Sequence, residues 1–191
     1  MPEPEPFQLP QRTLDPDLAI RPGDELVRRG PRMDFVLRPV PTRSHQTIIR
    51  EVVVHPGAVL ILAVHPDGRM VFIRNRRHTV GAELWELPAG TLGTGEDPAA
   101  CAARELTEET GFVAGTITPL GWFYTSPGVL TEKMYAFVAT DLTPGPQALE
   151  DNELIRVVAL DRRAVEKLIL ENELVDAKTL ATLLRYWMTK R

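Results

Sequence analysis

The segment that most constrains this chain is a helix carrying three glutamates on one face. Asp97 is a helix-capping residue type, Pro98 sits where a first turn tolerates proline, and Gly111 supplies the residue past the end. A helix is therefore expected from Pro98 to about Thr110. At about 100° per residue, Glu105, Glu108 and Glu109 share one arc, because they are spaced i, i+3, i+4. Like charges at such spacings destabilise a helix by a few tenths of a kcal/mol per pair. The face makes sense with a counter-ion, and a hard divalent cation such as Mg²⁺ prefers oxygen ligands. The opposite arc (Ala99, Ala102, Ala103, Leu106) is small and apolar, suited to close packing on a sheet. Arg104 can reach Glu96 and hold the preceding loop to the helix, while Gly90, Gly93 and Gly95 let that loop approach.

Around this helix the chain alternates strand-like and helix-like runs. Residues 33–40 and 46–54 read as strands. GAVLILAVHP (57–66) and GRMVFIRNRR (68–77) read as a hairpin about Pro66-Asp67-Gly68. A short strand over 84–87 leads into Pro88-Ala89-Gly90 and a loop, TLGTGE. Strand-like runs follow at 115–125, 131–141 and 153–160, with a polar loop at 143–152. Asp161 caps a helix to about Asn172. Asp176 opens a last amphipathic helix with Leu180, Leu183, Leu184 and Trp187 on one side. The order implies an α/β fold, a mixed sheet with helices on its faces. Its expected parts are a flexible tail (1–20), an N-terminal antiparallel strand extension (21–56) and a main domain (57–191).

Composition narrows the function classes. A formal charge of −4 over 191 residues, with no basic stripe, argues against a nucleic-acid partner. A single cysteine, Cys101, excludes an intrachain disulfide and a cysteine-rich zinc site. The acidic, Pro-rich start lacks the pattern of a signal peptide, and no apolar run approaches the roughly 18 residues that span a membrane. A cytoplasmic protein without a membrane partner is expected. His45, His55, His65 and His78 show no metal-ligand spacing and receive no role.

Read together, Gly90, five residues, Glu96, seven residues, and then Arg104-Glu105-Leu106-Thr107-Glu108-Glu109-Thr110-Gly111-Phe112 resemble the Nudix box, G-x5-E-x7-R-E-U-x-E-E-x-G-U with U apolar, at every fixed position. Glu86-Leu87-Pro88-Ala89-Gly90 resembles the lead-in of the family's ADP-ribose pyrophosphatase branch. Ser126-Pro127-Gly128 with Thr131-Glu132 is similar to that branch's S-P-G…E segment. Arg74-Asn75-Arg76-Arg77 stands where the branch carries R-Q-Y-R, with Arg76 in place of the tyrosine, and Val175-Asp176-Ala177-Lys178-Thr179 resembles its final helix.

The resemblance implies an α/β/α sandwich and hydrolysis of ADP-ribose to AMP and ribose 5-phosphate with Mg²⁺ or Mn²⁺. The alternatives are GDP-mannose or another nucleotide sugar as substrate, and a non-catalytic nucleotide sensor. Carried over by position, Glu105, Glu108, Glu109 and the carbonyl of Ala89 are metal ligands, while Gly90, Glu96, Arg104 and Gly111 are scaffold. Glu153 is the general base, with Glu150 as competitor and Glu108 as a further candidate. Arg77, Glu86, Gly128 and Glu132 are substrate contacts, Arg77 because a guanidinium suits phosphate oxygens. The strand extension implies a homodimer in which it joins the two subunits.

Overall fold

Strand β4 (Ala58–Ala63) is buried along its whole length, and its alternation divides the core in two. Ala58, Leu60 and Leu62 belong to one cluster with Val165 and Leu183, whereas Val59, Ile61 and Ala63 belong to a second with Cys101, Ala102 and Leu106. Successive side chains of a strand point to opposite faces, so β4 lies between two helical layers. The layer on one face is α1 (Pro98–Thr110); on the other lie α2 (Arg162–Leu170) and α3 (Ala177–Thr189). This is the α/β/α sandwich expected from the resemblance. The structure, a computed structural model, describes residues 19–151 and 153–190, so the flexible tail expected over 1–20 lies almost wholly outside the described residues.

The remaining strands are β1 (Glu25–Arg29), β2 (Asp34–Pro41), β3 (Thr47–Val54), β5 (Met70–Arg77), β6 (Ala82–Glu86), β7 (Ala89–Thr91), β8 (Phe112–Tyr124), β9 (Lys133–Pro144) and β10 (Ile155–Leu160). They form three sheets, ordered β1-β2-β3, β10-β5-β6 and β7-β4-β9-β8. The last is mixed: β4 runs parallel to β9 and antiparallel to β7.

The expected 57–77 hairpin needs correction. Its turn is present, with Gly68 N–H donating to His65 O, but beyond an isolated Val64–Met70 bridge the two strands join different sheets. Both are buried on two faces, and each must lie between layers. Two strands went unread. One is β1, five exposed residues without apolar alternation. The other is β7, three residues too short to show a period. The apolar arc of α1 is also shifted. Ala103 is exposed, and the buried face is Cys101, Ala102, Leu106, Glu109 and Thr110.

The N-terminal sheet stands apart from this core. Most of β3 is exposed, including both Ile48 and Ile49, adjacent residues that face opposite sides. Its inner end is anchored, with Val53 N–H donating to Val129 O and Thr131 N–H to Val53 O.

Candidate active site

Helix α1 is fixed by local chemistry at both ends. The Asp97 carboxylate accepts from Ala99 and Ala100 N–H at 3.0 Å each, a cap worth about 1 kcal/mol. At the other end Gly111 takes φ 70°, which a glycine adopts without strain, and its N–H closes on Thr107 O. The helix is thereby set so that Glu105 and Glu109 line a cavity of about 720 Å³ beside β7.

Glu109 is the most deeply placed of them, 3% exposed, with Oε2 accepting from Ala89 N–H at 2.9 Å. Burial pushes its carboxyl well above the ordinary range, and the nearby charges of Glu105 and Glu153 add to the rise. Glu105 is raised too, by burial first, against the pull of Arg104 and with help from Glu108 and Glu153. Both carboxylates thus feel Glu153, which lines the same cavity.

Ala89 faces this cluster for a topological reason. Ile61 N–H donates to Pro88 O and Leu92 N–H to Gly57 O, so the polar groups of Ala89, one position out of that alternation, turn away from β4. As an edge strand, β7 thereby directs the N–H of Ala89, and with it the carbonyl, toward Glu109.

Arg104 binds the loop as the sequence suggested, and more. Its Nε and Nη2 donate to Glu96 at 3.0 and 3.2 Å, and its Nη1 donates at 2.8 Å to both Glu105 Oε1 and Glu108 Oε2. Glu108 therefore turns toward Arg104 and does not line the cavity. Among the described residues no three carboxylate, imidazole or thiol groups are gathered to hold a metal ion as they stand. The donor set still suits a hard cation. It is all oxygen, a buried carboxylate lies at its centre, and rotation of Glu108 away from Arg104 would complete it.

Basic groups line the same cavity. Arg77 and Lys178 line the cavity, and Glu86 lies beneath them, fully buried. The Glu86 oxygens, which the sequence offered to substrate, are engaged by Arg77 at 2.8 and 2.6 Å and by Lys178 at 2.7 Å. Burial raises its carboxyl, but the two cations outweigh that and hold it below the usual range. Gly128 lines a separate pocket of about 390 Å³ beside β3, not the main cavity.

Glu132 does reach the cavity, with Oε2 accepting from Thr125 Oγ1 at 2.6 Å and Oε1 3.5 Å from His55 Nε2. His55 had no signal in sequence spacing. Its Nδ1 accepts from Gly57 N–H, which leaves the proton on Nε2 facing Glu132, and burial lowers its pKa. Glu150 and Glu153 both line the cavity. Glu153 Oε2 accepts from Glu150 N–H at 2.9 Å, whereas the Glu150 carboxylate pairs with Arg32 at 3.1 Å.

The NUDIX domain model matches residues 54–183. An ADP-ribose pyrophosphatase of Bacillus subtilis is 35% identical over 157 residues, 81% of this chain and 85% of that protein. A methanol dehydrogenase activator of Bacillus methanolicus is 36% identical over 136 residues, 70% of this chain and 74% of the relative. A solved structure of an ADP compounds hydrolase superposes with a TM-score of 0.77 at 22% identity, covering 87% of this chain and 91% of its own. A domain match across most of the chain, with an unbroken box from Gly90 to Phe112, means that this protein belongs to the NUDIX family.

Proposed function

We propose that this chain hydrolyses ADP-ribose at its pyrophosphate to AMP and ribose 5-phosphate, with Mg²⁺ or Mn²⁺ as cofactor. The observation that carries the reading is Glu109, a buried carboxylate that feels Glu105 and Glu153, in one cavity with Arg77. A diphosphate with its metal complements the carboxylates and the Arg77 guanidinium. Similarity to the Bacillus subtilis enzyme over most of both chains supports ADP-ribose as the substrate.

In this reading Glu105, Glu108, Glu109 and the Ala89 carbonyl hold the metal. Bound there, the cation would offset phosphate charge and make the attacking water more acidic. Glu153 takes the proton from that water as its oxygen attacks phosphorus; the bridging P–O bond breaks and the leaving phosphate departs. Arg77 holds a phosphate through the guanidinium edge that Glu86 leaves open. Glu132, fixed by Thr125 and His55, accepts hydrogen bonds from the sugar.

The same proposal takes residues 57–191 as the catalytic domain and 21–56 as a dimer-forming extension, and it places the enzyme in the cytoplasm. The bare apolar residues of the N-terminal sheet support the second point. Among the described residues no helix is long and apolar enough to cross a membrane.

The test is product analysis over a panel of nucleotide sugars with Mg²⁺. AMP and ribose 5-phosphate from ADP-ribose, abolished by a chelator, are expected. Faster turnover of GDP-mannose would move the substrate to that alternative, and binding without turnover of any member would leave only the sensor reading.

A further inference from the structure

Two adjacent residues at the start of α3 grip the last residue of β6 and the one that follows it. Lys178 Nζ donates to Glu86 Oε2 at 2.7 Å, and the hydroxyl of Thr179 accepts from Leu87 N–H at 3.0 Å. Asp176 sets this turn, with Oδ2 accepting from Thr179 N–H and Oδ1 from Lys178 Nζ. Glu86 Oε2 also accepts from Arg77 Nη2 at 2.6 Å, so one buried oxygen is shared by two cations. Arg77 spends Nε and Nη2 on Glu86, and its Nη1 has no hydrogen bond among the described residues.

We propose that Lys178 is a positioning residue that acts through Glu86 to hold the Arg77 guanidinium turned toward the cavity. The inference rests on the phosphate role given to Arg77 above. A buried carboxylate must be neutralised, and here the demand is divided between two cations. Without the Lys178 ammonium, Arg77 alone meets that demand and is drawn onto Glu86. A guanidinium is a planar fork, so any change in how two of its nitrogens sit re-aims the third. The spacing of 92 residues between Lys178 and Glu86 makes α3 the support of a cavity residue on a distant strand.

A double-mutant cycle on ADP-ribose hydrolysis tests this, with Lys178→Met, Arg77→Ala and the pair, alongside melting temperatures. Lys178→Met is expected to raise KM about tenfold while kcat stays within about threefold, and Lys178→Arg to recover most of the loss. The paired variant should have a KM no higher than Arg77→Ala alone, because Lys178 would have nothing left to position. Additive losses, or an unchanged KM in Lys178→Met, overturn the proposal. Should Lys178→Met fail to fold, Lys178→Gln enters the same cycle.

The Arg77 Nε–H resonance in nuclear magnetic resonance spectra gives a readout independent of turnover, and Lys178→Met should shift it. A raised KM with an unmoved resonance would mean that Lys178 touches substrate directly, which overturns the positioning role. Absence of ADP-ribose turnover in the wild-type chain would refute the pyrophosphatase reading alone, and the resonance would then decide this one.

Discussion

The carboxyl group of Glu105 fills the space that a side chain on Gly90 would need: a Cβ built there overlaps Glu105 Cδ. The glycine of β7 is thus a condition for the glutamate of α1 to lie where it does. Gly90→Ala should push Glu105 out of the cavity wall while leaving the rest of α1 in place. A misplacement of about 1 Å at such a site costs on the order of 10²-fold, and kcat/KM for ADP-ribose should fall by about that much, with weaker Mg²⁺ dependence. Near-wild-type kinetics for Gly90→Ala would mean that Glu105 has no fixed role.

Glu105→Gln and Glu109→Gln should each remove most activity and most Mg²⁺ binding. The two variants should differ in stability. Glu109 is buried as a carboxylate whose hydrogen bond from Ala89 does not offset its desolvation, so without metal the neutral Glu109→Gln chain should melt higher than wild type at neutral pH. Added Mg²⁺ should raise the melting temperature of wild type and not of this variant, since only a species bound by the folded state stabilises it. Calorimetry with and without Mg²⁺ reads both effects, and an equal Mg²⁺ response in the two proteins contradicts the assignment.

Arg104 holds the Glu96 carboxyl down to about 2, chiefly through its hydrogen bonds, against a smaller opposing effect of burial. A folded-state pKa below the ordinary 4.5 means that this tie contributes stability above the ordinary value and loses it as pH falls through about 2. The melting-temperature gap between wild type and Glu96→Gln, in chelator, should therefore be constant from neutral pH to about 4.5 and then close on acidification. Both side chains are partly exposed, so salt should shrink the gap. A gap that grows below pH 4 would place the stabilisation elsewhere.

The exposed Ile48 and Ile49 on opposite sides of β3 predict association. Light scattering at micromolar concentration should give twice the 21.3 kDa chain mass. Ile49→Arg should lower that mass while leaving the core fold, read by circular dichroism, unchanged. A wild-type monomer would end the dimer reading.

What could be read from sequence was what local chemistry decides. Asp97, Pro98 and Gly111 delimit α1 because capping and the left-handed turn act within a few residues. The Glu105, Glu108 and Glu109 arc follows from helical period alone. Pro66-Asp67-Gly68 marked a real turn, but the partners of the strands it joins depend on burial on both faces, which no local pattern reports. The ties that engage Glu86 were hidden for the same reason. A glutamate beside the box looks available until Lys178, 92 residues later, closes over it. His55 sits at a strand end with nothing at metal spacing, and only the fold brings Glu132 to its Nε2.

Glu153→Gln should lower kcat strongly while leaving Mg²⁺ affinity and melting temperature close to wild type. Glu153 and Glu150 close a turn reciprocally, with Glu153 N–H donating to Glu150 O and Glu153 Oε2 accepting from Glu150 N–H. A glutamine keeps a side-chain oxygen for that bond, so the turn survives and only the proton-accepting charge is lost. That charge reaches both Glu105 and Glu109, which puts Glu153 beside the box carboxylates. A general base contributes about 10²–10⁴-fold, and the loss should fall in kcat rather than KM. Glu150 differs in that its carboxylate is committed to Arg32, in a pair exposed enough to contribute little. Glu150→Gln should therefore change kcat by less than about threefold. The reverse ranking would assign the base to Glu150. If neither variant loses more than about tenfold, no carboxylate of this loop takes the proton, and Glu108, held by Arg104, becomes the candidate to test next.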